Sequence, residues 1–187
     1  MKRGIQIVCV VVMSFGSIAL TDDFGTGDNQ FTIDFVTISG DAGSANGTNI
    51  SLGSPGDSYY RAFTDPDNGY RIGVHEISND QWNKFQAELA PVAVTGDPSN
   101  AYEDSPHFTD ENMPTNAVSW YEAAQMVNWL NTSTGRHAAY KFTGTQGQSD
   151  YALDTWPAAE ADGGTNLYRH ENAFYFLPTE DEWVKAA

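Results

Sequence analysis

An α+β fold is what this chain of 187 residues predicts. Short segments alternate apolar and polar residues, three helix starts use the same capping device, and long connections rich in Gly, Ser, Asn and Asp lie between them. Phe31, Ile33 and Phe35 alternate with polar neighbours as a half-buried strand does, and Val36 and Ile38 shift its phase. Residues 21–30 ahead of it read as flexible, and residues 40–57 are turn formers that cannot bury themselves. Asp65-Pro66-Asp67-Asn68-Gly69 reads as a tight turn, because the full twelve-position pattern of a calcium loop is absent there. Tyr70, Ile72 and Val74 alternate into a second strand.

The first helix begins at Ser78. Ser78 and Gln81 form a capping box, Ile77 and Trp82 a hydrophobic staple, and Trp82, Phe85 and Leu89 one apolar stripe that Pro91 ends. Residues 93–114 make a long acidic loop. Ser119 and Glu122 cap a second helix whose Trp120, Ala123, Ala124, Val127 and Leu130 face inward, and Gly135 stops it. A strand at Ala139 to Phe142 precedes a Gly-, Gln- and Asp-rich excursion up to Asn172, of a length that marks functional or disordered loops. A strand at Phe174 to Phe176 then meets Pro178, and Thr179 with Glu182 caps a third helix. That helix is too short to stand alone, so the chain reads as the front part of a larger domain.

The first residues read as an export leader. Lys2 and Arg3 precede an apolar run from Ile5 to Met13, and Ser17-Ile18-Ala19 places small residues where a signal peptidase reads. The run is shorter than a membrane span of roughly 20 residues, so cleavage after Ala19 is expected. The organisation is then a signal peptide over 1–19, a flexible stretch over 20–30 and one incomplete domain over 31–187, secreted or periplasmic. Loss of Lys2 and Arg3 leaves 7 of the 9 basic residues against 25 acidic ones, a net charge of 7 − 25 = −18. Such a surface repels nucleic acid and anionic membranes and keeps the chain soluble. Cys9, the only cysteine, leaves with the leader, which excludes disulfides, thiolate metal sites and cysteine nucleophiles from the mature chain.

Candidate chemistry is sparse. His75, His107, His137 and His170 include no pair at the i, i+4 spacing of a helical metal site, and read as surface or capping residues. Ser119 and Thr179 are better used as caps than as nucleophiles, and Asp104, Asp110 and Glu111 as a solvated loop than as paired catalytic carboxylates. Asn46, Asn49 and Asn131 head glycosylation-type triplets too common to weigh.

Three blocks carry a family resemblance: Glu76-Ile77-Ser78-Asn79-Asp80-Gln81-Trp82, Asn116-Ala117-Val118-Ser119-Trp120-Tyr121-Glu122-Ala123 and Leu177-Pro178-Thr179-Glu180-Asp181-Glu182-Trp183. In this order they resemble the signature blocks of the formylglycine-generating enzyme family, the sulfatase-modifying factors, over roughly Phe31 to Ala187. The resemblance implies a formylglycine-generating-enzyme fold with a C-type-lectin-like core and little regular secondary structure. In the catalytic branch, a cysteine pair binds copper and uses oxygen to oxidise a sulfatase cysteine to formylglycine. Those cysteines, the main calcium ligands and the later Gly-Asn-Val and Arg-Gly-Gly-Ser-Trp blocks are expected beyond Ala187. Copper and calcium therefore belong to a complete domain, and no catalytic, cofactor-binding or metal residue is assigned here. The matched residues are architectural, with Trp82, Trp120, Trp129 and Trp183 as core rings.

Two features depart from the family: Phe176 stands where a basic residue usually precedes the third block, and the connection from Gly135 to Leu177 is long. Two functions follow. The chain is the front half of an exported sulfatase-modifying-factor domain whose parent oxidises a sulfatase-like partner, or it belongs to a non-catalytic, lectin-like module that binds protein or glycan.

Overall fold

The computed structural model describes residues 11–12, 21–39, 51–52, 54, 56, 61–63, 65–66, 69–89, 109–116, 118–145 and 150–186. Strand β1 is Val11–Val12, β2 Thr21–Phe24, β3 Phe31–Ile38, β6 Tyr70–Gly73 and β11 Tyr175–Phe176. They form one antiparallel sheet in the order β11-β1-β6-β3-β2. β3 buries Phe31, Ile33 and Phe35 and leaves the residues between them exposed, as its alternation predicts.

Residues 21–30 are not a loose lead-in. β2 pairs with β3, setting Phe24 opposite Phe31, and a short 3-10 turn at Gly27–Asn29 joins the two strands. The Phe24 ring meets Phe31 at 5.7 Å and Tyr175 at 5.2 Å. One buried aromatic thus anchors a polar segment. β6 departs from the expected alternation too: all four of its residues are buried, and Val74 lies exposed beyond its end. As the central strand it is covered on both faces. Its Arg71 pairs with Asp22 at 2.9 Å and lies over the Phe35 ring at 4.9 Å. Val11–Val12 sit inside the segment expected as a leader and bridge β6 to β11.

All three predicted capping boxes are formed. In α1 (Asn79–Leu89), Ser78 Oγ accepts the Gln81 amide at 3.2 Å and Gln81 Oε1 accepts the Ser78 amide at 2.9 Å. In α2 (Trp120–Ser133), the reciprocal Ser119–Glu122 bonds are 3.0 and 2.7 Å. In α3 (Glu180–Ala186), the Thr179–Glu182 bonds are 3.1 and 2.7 Å. Past the end of α2, Gly135 takes φ 75°, a left-handed value that favours glycine. Trp129 of α2 meets Phe31 at 5.9 Å and Phe85 of α1 at 5.5 Å, so the two helices and β3 share one core.

Of the four predicted core tryptophans, Trp82 and Trp129 are buried, Trp120 is half-buried and Trp183 is 52 % exposed. Trp183 is therefore not a core ring. The residue that α3 buries is Glu182.

The excursion up to Asn172 is organised into two hairpins among the described residues. Strand β7 (Lys141–Thr143), two residues later than expected, pairs with β8 (Ala152–Asp154), and β9 (Ala161–Asp162) pairs with β10 (Asn166–His170). At the β7–β8 turn, Gly144 has φ 85°, and a Cβ there would lie 2.2 Å from the Asp150 carbonyl oxygen, so only glycine fits. A further pair, β4 (Ser51–Leu52) with β5 (Arg61–Ala62), begins inside the stretch expected to be all turns. No helix among the described residues is long and apolar enough to cross a membrane. Cys9, Asn46, Asn49, Pro91, Asp104 and His107 lie outside the described residues.

Candidate functional site

The Leu177-Pro178-Thr179 corner organises a concavity among the described residues. Tyr140 supplies its hydroxyl oxygen to the Leu177 amide at 2.8 Å, fixing the chain where Pro178 forbids an earlier helix start. Below the corner, the buried Glu182 caps α3 and accepts both 3.2 Å bonds from Arg169 Nη1. Arg169 also donates from Nε to Asp162 at 2.8 Å, and its guanidinium lies 4.1 Å over the Phe176 ring. Tyr70 donates to the Glu182 carbonyl oxygen. A buried charge is tolerable when paired and hydrogen-bonded this fully. The network ties β6, β9, β10 and α3 together across the corner.

Above the corner opens a cleft of about 400 Å³. Its walls are Trp120 and Tyr121 from the first turn of α2, Tyr140, Leu153 of β8, and Asn166, Tyr168 and Arg169 of β10. Trp120 stands edge-on to Tyr140 at 5.0 Å and to Tyr121 at 5.7 Å. Burial pushes the Tyr140 phenol well above its usual range, so its proton stays on through neutral pH. A second, smaller pocket of about 240 Å³ is lined by Asp34, His75, Glu76 and Gln81.

The histidines behave in part as expected. His75 is exposed, and His137 stacks on the buried His170 with ring centroids 4.7 Å apart and planes within 7°. Sequence spacing gave no hint of that pair, because 33 positions separate the two residues and a β-bridge from His137 to Ala173 brings them together. Ring lone pairs lie in the ring planes, so parallel stacking does not converge them on one ion. His170 Nδ1 accepts the Asn172 amide at 3.0 Å. Ser119 is fully buried in its cap, and Asp110 and Glu111 are exposed.

One residue that the sequence hides is Asn131. The triplet Asn131-Thr132-Ser133 reads as a weak glycosylation signal, yet Asn131 is fully buried. Its Oδ1 accepts the amides of Phe174 at 3.1 Å and Tyr175 at 3.0 Å, and its Nδ2 donates to the carbonyls of Val127 at 3.0 Å and Tyr175 at 2.7 Å. It is the clamp between α2 and β11.

The family model of the sulfatase-modifying factor enzyme 1-like domain matches residues 49–187. The chain belongs to this family. No curated protein and no solved structure matches it. The match takes in α1, α2, α3 and their capping boxes, the Glu182–Arg169 network and the whole cleft.

Within this sulfatase-modifying-factor domain, the donors present do not fit the copper that the resemblance implies. A cuprous ion held by two soft thiolates needs two cysteines, and the chain has Cys9 alone. Among the described residues, no group of three or more His, Cys, Asp or Glu side chains is arranged to hold a metal ion. Asp65, in the segment read as a turn, pairs with Lys185 at 2.9 Å.

Proposed function

We propose that these residues form the non-catalytic frame of an exported, sulfatase-modifying-factor-type domain with a C-type-lectin-like core. In this reading the complete parent is a formylglycine-generating oxidoreductase acting on a sulfatase cysteine, and its reacting groups are not among these residues. The observation that carries the reading is the use made of the family blocks. Ser119, Glu122, Thr179 and Glu182 spend their polar atoms on caps and, for Glu182, on Arg169. None is left poised to react.

The test is direct. The chain is incubated with a cysteine-containing sulfatase peptide and analysed by mass spectrometry, and it is titrated with copper(I) against a competing chelator. No formylglycine product and no tight stoichiometric copper complex are expected. Either one would overturn the reading. Export is tested by N-terminal sequencing of the protein recovered from outside the cytoplasm, with Leu20 expected as the first residue and retention of Met1 counting against it.

A second reading is favoured by the cleft: a non-catalytic extracytoplasmic module that binds protein or glycan. The hairpins that lengthen the connection from Gly135 to Leu177 supply Leu153, Asn166, Tyr168 and Arg169 to the cleft walls. The departure from family length thus coincides with the construction of a concave, ring-lined surface.

A further inference from the structure

We propose that the cleft above Pro178 binds an uncharged pyranose glycan, an inference that rests on the binding-module reading and deepens it. Size is the first argument: about 400 Å³ falls within the roughly 300–1,000 Å³ of small-molecule sites and suits a ligand of a few sugar rings. Shape and surface come next. Trp120, Tyr121 and Tyr168 supply ring faces and edges, and Tyr168 is 52 % exposed at the mouth. The axial C–H groups of a pyranose form a flat, weakly positive face that suits the negative face of such a ring.

Charge decides the class. Arg169 is the single charged side chain in the lining among the described residues, and it is already paired with Asp162 and Glu182. Among the described residues, no carboxylate lines the cleft to anchor a basic peptide or an ammonium group. The net charge of −16 opposes phosphorylated or sulfated ligands. What remains is a neutral partner that both gives and takes hydrogen bonds. The lining offers that mixture in Asn166, whose side-chain amide can both give and take a hydrogen bond and has no hydrogen-bond partner among the described residues. A proline-rich peptide, which ring-lined grooves also bind, presents mainly acceptors and would leave the amide oxygen of Asn166 unmatched.

The full chain is titrated with maltotriose, cellotriose and chitotriose, followed by saturation-transfer NMR and calorimetry. A sulfated trisaccharide and an arginine-flanked proline-rich peptide serve as contrasts. Tyr168→Ala and Asn166→Ala are the variants, since Tyr168 is largely exposed and Asn166 lies on a two-stranded hairpin, with the thermal transition as the control for folding. At least one neutral trisaccharide should bind, and each variant should weaken it about tenfold or more while melting like the parent. Binding that neither variant changes, or preference for the sulfated sugar, would overturn the proposal. Peptide binding without sugar binding would overturn it and leave the binding-module reading standing. Binding of none of these probes would overturn the glycan proposal.

Discussion

Asn131 shows how much one polar side chain can hold. Its four hydrogen bonds join α2 to β11 in a fully buried site. Asn131→Leu keeps the volume but leaves the amides of Phe174 and Tyr175 without that acceptor, so it should destabilise the chain by about 2–4 kcal/mol, read from the urea midpoint. The buried phenols make a second prediction. Burial raises the Tyr140 pKa, and burial followed by the nearby Asp22 carboxylate raises that of Tyr175, from the ordinary value of 10.0. The folded state then keeps protons that the unfolded state loses, so this stability is fully present below pH 10.0 and is lost as pH rises through the folded values. Urea midpoints should fall from about pH 10 upward, and Tyr175→Phe should flatten that fall.

Among the elements, the three helices begin alike but do not depend equally on their caps. Ser119→Ala removes one bond at the start of a 14-residue helix that is buried along much of its length, and should cost about 1 kcal/mol. Glu182→Ala removes the cap of a 7-residue helix and also strands Arg169, which lines the cleft and is buried. Loss of one partner from a buried pair costs about 3–5 kcal/mol, and that is the drop expected in chemical denaturation. Glu182→Gln should restore part of it, because an amide oxygen can still accept from Thr179 and Arg169. Equal costs for the Ser119 and Glu182 alanine variants would show that Glu182 acts only as a cap.

For the whole molecule, the bridging position of Val11–Val12 sets a test of assembly. Cleavage after Ala19 removes β1 and leaves β6 and β11 with facing, unpaired edges. The chain beginning at Leu20 should therefore melt at a lower temperature than the full chain, with faster amide exchange at Arg71, Ile72, Tyr175 and Phe176. An unchanged transition and unchanged exchange would show that β1 contributes nothing to the fold. The sequence by itself determined the family, the α+β class, the three helix starts and the buried face of β3. All of these rest on interactions between residues a few positions apart, which spacing displays directly. It also determined that paired thiolates are absent, since composition settles that. Tertiary structure alone decided that Phe24 anchors a strand, that Trp183 faces outward while Glu182 is buried, that Asn131 clamps two elements, and that Trp120, Tyr140 and Tyr168 share a cleft. In each case a partner lies more than a dozen residues away, and local pattern carries no record of which distant groups will satisfy a buried charge, amide or ring.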